Sequence, residues 1–215
     1  MMTTTDTPPA TATRYLALGD SYTIGEGVPA ADTWPFLLAA ALRGCGIALD
    51  DPQVIATTGW TTDELAAAID ADPPQGTFAL VSLLVGVNNQ YRGRPLAEYR
   101  QQFEQLLQRA IALGGENARR VLVLSIPDWG VTPFAQARDA ATVAREIDDF
   151  NAAARACCGD YNVAFVDITP ASRERGAEAA MLVDDGLHPS AAMYHLWMEQ
   201  VLPVAADMLL AAPHA

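Results

Sequence analysis

Ser21 and His188 are the two residues whose surroundings in the chain suit them to nucleophilic chemistry. A serine hydroxyl is a weak nucleophile until a base takes its proton, and that base is most often a histidine held in one tautomer by a carboxylate. The chain has three histidines. His214 is next to the C-terminus, and His195 falls inside a helical stretch, where a surface or packing role is the default. His188 sits in the run Asp184-Asp185-Gly186-Leu187-His188-Pro189, just ahead of a helix start. Asp185 precedes it by three residues, close enough for its carboxylate to accept the Nδ1–H without long-range placement; Asp184 competes for that role. Acyl transfer also needs donors aimed at the developing oxyanion. Three candidates are present: the backbone N–H of Ser21, the backbone N–H of Gly59, where a glycine lets the chain approach a substrate closely, and the side-chain amide of Asn88, a neutral donor.

Each feature alone has a plainer reading. Gly19-Asp20-Ser21 is commonly a turn followed by a helix cap. Gly59 is ordinarily a turn glycine, and Asn88-Asn89 ordinarily bonds within its loop. Asp185 and His188 read alone as a charge near a helix start and a loop histidine. Their occurrence in order, each just beyond a strand, weakens those readings.

The elements that must position them follow from hydrophobic patterning. Short apolar runs at Tyr15–Leu18, Gln53–Ala56, Phe78–Val85, Val121–Ile126 and Val163–Ile168 are strand candidates. The run at Phe78 is continuous apart from Ser82, which suits a strand covered on both faces. Between the strands lie helical stretches. Trp34–Leu42 stops at Gly44. Thr61 and Glu64 have capping-box spacing at a helix start, and Pro73-Pro74 ends that helix. Pro95 opens a long helix closed by Gly114-Gly115. Asp139–Cys158 is helical by composition, and a last helix follows Ser190, with Pro203 predicted to kink or break it. Strand–helix alternation predicts a doubly wound α/β sandwich with a parallel sheet, whose ligand site lies beyond the carboxyl ends of the strands.

Composition narrows the partners. The formal net charge is −13, from 26 acidic and 13 basic residues, and every basic residue is an arginine. The absence of lysine excludes a P-loop lysine, a Schiff-base lysine and a Ser-Lys dyad. An acidic surface argues against nucleic acid and anionic membrane as main partners. No apolar run approaches the ~20 residues of a membrane span. Cys45, Cys157 and Cys158 have neither disulfide-framework nor zinc spacing and are expected to be buried packing thiols in a reducing compartment. Residues 1–14 are expected to be a disordered tail and 15–215 a single catalytic domain. Without the apolar core of a signal peptide in the chain as written, a cytoplasmic location is expected, unless a leader has already been removed.

With these residues in place, the sequence resembles the SGNH hydrolases, the GDSL-type esterase and lipase superfamily. Leu16-Ala17-Leu18-Gly19-Asp20-Ser21-Tyr22-Thr23-Ile24-Gly25-Glu26-Gly27 is similar to its nucleophile block, Gly59 matches its second-block glycine, Gly86-Val87-Asn88-Asn89 its third block, and Asp185-Gly186-Leu187-His188 its last. The resemblance implies a three-layer α/β/α flavodoxin-like sandwich with about five parallel strands, and ester hydrolysis without metal or organic cofactor. By position it implies Ser21 as nucleophile, Ser21, Gly59 and Asn88 as oxyanion donors, Asp185 as orienting carboxylate and His188 as base. Tyr22 stands where the motif has leucine, and Asn89 where an aspartate is frequent. No serine lies in a Gly-x-Ser-x-Gly elbow, which disfavours the α/β-hydrolases.

The substrate expected is a small-molecule ester, with short-chain or aryl carboxylic esters first, and thioesters, lysophospholipids and acetylated sugars as alternatives. Trp129, Tyr91 and Trp60 are candidates for an apolar pocket, and Trp34 lies near the same loops. Arg92 and Arg94 follow the third block as solvated surface charges or as contacts for an anionic substrate. Two other classes compete. A non-catalytic binding module on this fold should have lost Ser21 or His188. A nucleotide or flavin binder should show Gly-x-Gly-x-x-Gly, which Gly19, Gly25 and Gly27 do not form.

Overall fold

The computed structural model describes residues 13–211. The expected N-terminal tail lies almost wholly outside the described residues, as does His214. Five strands form one all-parallel sheet: β1 (Tyr15–Gly19), β2 (Gln53–Ala56), β3 (Leu80–Leu84), β4 (Val121–Leu124) and β5 (Ala164–Val166), in the order β2-β1-β3-β4-β5. That order is the flavodoxin-like one, and the strand order reverses between β1 and β3. The three inner strands are buried at every position, which is why they read as unbroken apolar runs, whereas the edge strands β2 and β5 keep partly exposed residues.

The helices are α1 (Ser21–Ile24), α2 (Trp34–Gly44), α3 (Thr62–Ala71), α4 (Val87–Tyr91), α5 (Leu96–Leu113), α6 (Ala140–Tyr161), α7 (Thr169–Arg175) and α8 (Ala191–Ala211). α2 packs on α8 in one layer, and α5 packs on α3 and α6 in the other, so the sheet is covered on both faces. α2 begins with Trp34, fully buried in the core. α5 buries Tyr99, Phe103, Leu106, Leu107 and Ala110 along one stripe. The capping box at α3 forms as its spacing predicts: the Thr61 N–H donates to Glu64 Oε2 at 2.8 Å.

Two local expectations are corrected. α8 does not break at Pro203; it continues to Ala211, with Met193, Tyr194, Trp197, Val201 and Ala205 buried, and tertiary packing against α2 offsets the backbone hydrogen bond that proline cannot make. Cys157 and Cys158 are buried as expected, but Cys45, just past α2, is exposed. No helix among the described residues is long and apolar enough to cross a membrane.

Candidate active site

Strands β1, β2 and β3 each lead, at the carboxyl end, into a chemically useful residue. β1 runs through Gly19 into Asp20, which caps α1, with Oδ1 accepting the Tyr22 N–H at 3.0 Å. This cap holds Ser21 at the first helical position, where a backbone N–H has no intrahelical acceptor. Gly19 makes the turn possible: a Cβ there would lie 2.2 Å from Thr23 Oγ1 and 2.5 Å from the Leu84 carbonyl. Asp20 is fully buried, and burial pushes its carboxyl up to about 7 despite the bond from Tyr22. Its Oδ2 has no hydrogen-bond partner among the described residues.

Beyond β2, Gly59 adopts φ +88°, a left-handed conformation that favours glycine. Its carbonyl accepts from Arg92 Nη2 at 2.6 Å, and the same guanidinium lies 3.3 Å from Glu64. Arg94 pairs with Asp63 at 2.5 Å and with Glu98 at 3.4 Å. Both arginines therefore brace loops. The backbone N–H groups of Ser21 and Gly59 donate to no other group among the described residues.

Beyond β3, the short helix α4 carries Asn88. Its Nδ2 donates to the Trp60 carbonyl at 2.9 Å, which spends one amide hydrogen and leaves the second. The neighbouring Asn89 is fully buried and ties α4 to the start of α3: its Oδ1 accepts the Thr62 N–H at 3.1 Å, and its Nδ2 donates to Thr62 Oγ1 at 2.8 Å. Asparagine in place of the frequent aspartate thus braces this loop through both ends of its amide.

His188 comes from a turn between α7 and α8. Leu182 and Pro189 pair as an isolated antiparallel bridge, and the Val183 N–H donates to the His188 carbonyl at 2.9 Å. Inside the turn, Asp185 Oδ1 accepts the N–H groups of Leu187 and His188 at 2.8 and 2.9 Å, and Oδ2 lies 2.6 Å from His188 Nδ1. Partial burial raises the Asp185 carboxyl, but these hydrogen bonds outweigh it and hold the group below its ordinary value. The Tyr22 ring stands edge-on to the imidazole at 5.9 Å, so the aromatic in the leucine position of the motif packs against the base.

These parts converge on one cleft of about 190 Å³, lined by Ser21, Gly59, Asn88 and His188 together with an aromatic wall. No hydrogen bond joins Ser21 Oγ to His188; both face the same cavity. Such contacts are often long in ligand-free sites and tighten with substrate. Tyr91 and Trp129 line the wall as expected, their rings 5.3 Å apart at 71°. Trp60 does not line it: its ring is half-buried against the core, and only its carbonyl serves the site. Trp34 is likewise a core residue. The wall residue that patterning missed is Phe134, in a 3₁₀ turn over Pro133–Ala137 with no periodic signal. His195 is exposed on α8. Among the described residues, no cluster of three or more His, Cys, Asp or Glu is placed to hold a metal ion.

An arrangement of this kind can take a proton from a hydroxyl and surround a carbonyl oxygen with three N–H donors. Residues 17–196 match the model of the GDSL-like lipase/acylhydrolase family. Among solved structures, TesA superposes with a TM-score of 0.73 at 23% identity, covering 91% of this chain and 99% of that one. The lipase/acylhydrolase from Enterococcus faecalis gives 0.68 at 20% identity over 94% and 99% of the two chains. Phospholipase A1 from Streptomyces albidoflavus NA297 gives 0.64 at 19% identity over 92% and 99%. No match is found among curated proteins.

Proposed function

The chain belongs to the GDSL-like lipase/acylhydrolase family of hydrolases, and from that premise we propose that it is a serine esterase acting on carboxylic esters through Ser21, His188 and Asp185. The observation that carries the proposal is the cleft shared by Ser21 and His188, with the imidazole anchored by Asp185 at 2.6 Å.

The cycle is acyl transfer. His188 Nε2 accepts the Ser21 hydroxyl proton as Oγ attacks the ester carbonyl, and the carbonyl π pair moves onto oxygen. Asp185 keeps the proton of Nδ1 in place and stabilises the imidazolium that forms. The oxyanion meets the N–H groups of Ser21 and Gly59 and the second amide hydrogen of Asn88. The tetrahedral adduct collapses, His188 gives its proton to the departing alcohol, and the acyl group stays on Ser21. Water then enters, loses its proton to His188, and repeats the steps to release the acid and regenerate the hydroxyl.

The wall of Tyr91, Trp129 and Phe134 supports short-chain or aryl esters as the substrate class. Three aromatic rings lining one cleft suit a ring or a short chain. The test is hydrolysis of p-nitrophenyl esters from acetate to palmitate by the native chain and Ser21→Ala side by side. Activity that peaks at short chains and disappears in the variant is expected. Equal hydrolysis by both proteins, or none by the native chain on esters, thioesters and acetylated sugars alike, would overturn the reading.

A further inference from the structure

The wall of the cleft is held from behind by a residue that touches neither the nucleophile nor the base. Gln90 follows Asn88 and Asn89 on α4 and is buried, with 5% of its surface exposed. Its Oε1 accepts from the Trp129 indole Nε1 at 2.8 Å, and its Nε2 donates to Glu146 Oε2 on α6 at 2.6 Å. An indole N–H only donates and a carboxylate only accepts, so the amide has a single orientation between them. The backbone under Trp129 is fixed as well. Asp128 Oδ1 accepts the Gly130 N–H at 2.9 Å, and Asp128 Oδ2 lies 2.8 Å from Arg173 Nε on α7. The indole is therefore pinned at its ring nitrogen and along its main chain, and it meets Tyr91 and Phe134 with ring centroids 5.3 and 6.2 Å away.

We propose that Gln90 is a specificity-determining positioning residue: clamped by Glu146, its amide fixes Trp129 as a preformed wall that selects esters with a bulky acyl or alcohol group. The proposal rests on the serine-esterase reading above. Its physical basis is the cost of ordering. A wall that is rigid beforehand loses no rotamer freedom when a ring or chain packs on it, whereas a loose indole must be immobilised by the substrate. An ester too small to reach the aromatic corner is indifferent to this. An ester that reaches it loses affinity when the clamp is cut.

The experiment compares kcat and KM for ethyl acetate, phenyl acetate and ethyl hexanoate in the native chain, Gln90→Leu, Glu146→Ala and the double variant Gln90→Glu/Glu146→Gln. Phenyl acetate and ethyl hexanoate place bulk on opposite sides of the ester, so the corner is probed whichever side it receives. The readout is kcat/KM for the bulkier ester relative to ethyl acetate, which cancels any change in the oxyanion donors common to all three. Gln90→Leu should lower this ratio about two- to tenfold, mainly through KM, the range set by immobilising one side chain. Glu146→Ala, at an exposed position and safe for folding, should lower it in the same direction by a smaller factor. The double variant reverses the polarity of one bond but keeps both. The carboxylate introduced at position 90 would accept from the Trp129 indole and from the amide introduced at position 146, so the native ratio should return. An unchanged ratio in Gln90→Leu and Glu146→Ala, or a folded double variant no better than Gln90→Leu, would overturn the proposal. Hydrogen exchange of the Trp129 indole N–H, assigned by its loss in Trp129→Phe, reads the clamp without any substrate. Exchange should be slow in the native chain and faster in Gln90→Leu; equal rates would refute the clamp. No hydrolysis of any ester by the native chain would instead overturn the esterase reading, and the selectivity role with it, while the exchange rates still report on the clamp.

Discussion

Asp185 grips His188 twice: one carboxylate oxygen lies 2.6 Å from the imidazole Nδ1, and the other accepts the backbone N–H of the same histidine at 2.9 Å. That geometry sets the outcome of Asp185→Asn. The N–H groups of Leu187 and His188 hold the amide oxygen where Oδ1 stood, so the NH₂ faces Nδ1. The ring must then carry its proton on Nε2, where it cannot accept one from Ser21. The expected loss in kcat is about four orders of magnitude, as when a triad histidine is trapped in the wrong tautomer. Steady-state kinetics on a p-nitrophenyl ester would check it, and a kcat within about tenfold of native would remove Asp185 from the mechanism.

Asn88→Ala should lower kcat ~100- to 1000-fold with little change in KM, the usual cost of one oxyanion donor. The amide is aimed by its bond to the Trp60 carbonyl, so the loss belongs to the transition state and not to binding. A variant with native kcat would refute the donor role.

The buried Asp20 makes a prediction about pH and stability. Its folded value of about 7 lies above the 3.8 of an unfolded chain. Between those values the folded protein keeps a proton that the unfolded chain has lost. Stability from this group is therefore full below pH ~4 and falls as pH rises towards ~7, by at most about 1.4 kcal/mol per pH unit. Asp20→Asn retains the acceptor for Tyr22 but cannot titrate. Its urea-unfolding free energy should change less between about pH 5 and pH 7 than that of the native chain, by up to ~2–3 kcal/mol. Identical pH slopes in the two proteins would show that Asp20 is ionised throughout.

Gly86→Ala should destabilise the fold. Gly86 has φ +131°, and a Cβ there would lie 2.5 Å from Tyr99 Cε2 and 3.0 Å from Ile126 Cδ1, both in the core. Strain and overpacking together should cost about 2–4 kcal/mol, read as a lower urea midpoint. An unchanged midpoint would mean the loop ahead of Asn88 yields freely.

The sheet is legible in the sequence because β1, β3 and β4 are buried on both faces, so their apolar runs need no periodicity to stand out. Ser21, Gly59, Asn88 and His188 are legible as site candidates because a parallel sheet gathers strand ends at one edge, where the structure brings them into a single cleft. What escapes is short or local. α4 has five residues, too few to show a stripe, so Asn88 reads as a loop residue from sequence. Trp60 is misplaced by patterning because proximity in sequence says nothing about which way a ring turns. Phe134 lies in a turn whose position depends on tertiary contacts such as its own N–H bond to the Gly186 carbonyl at 3.1 Å. Gln90 is invisible in the sequence: its partners, Trp129 and Glu146, are 39 and 56 residues away.

On α4 each residue turns ~100° from the last, and four successive side chains point to four different neighbours: Asn88 to the cleft and Trp60, Asn89 to α3, Gln90 to Trp129 and Glu146, and Tyr91 to the rim. No face of this helix is idle. A one-residue insertion or deletion here would not lengthen or trim a loop; it would reassign every side chain to its neighbour's task at once. Laboratory evolution of this chain should therefore reject changes in length anywhere from Gly86 to Gly93.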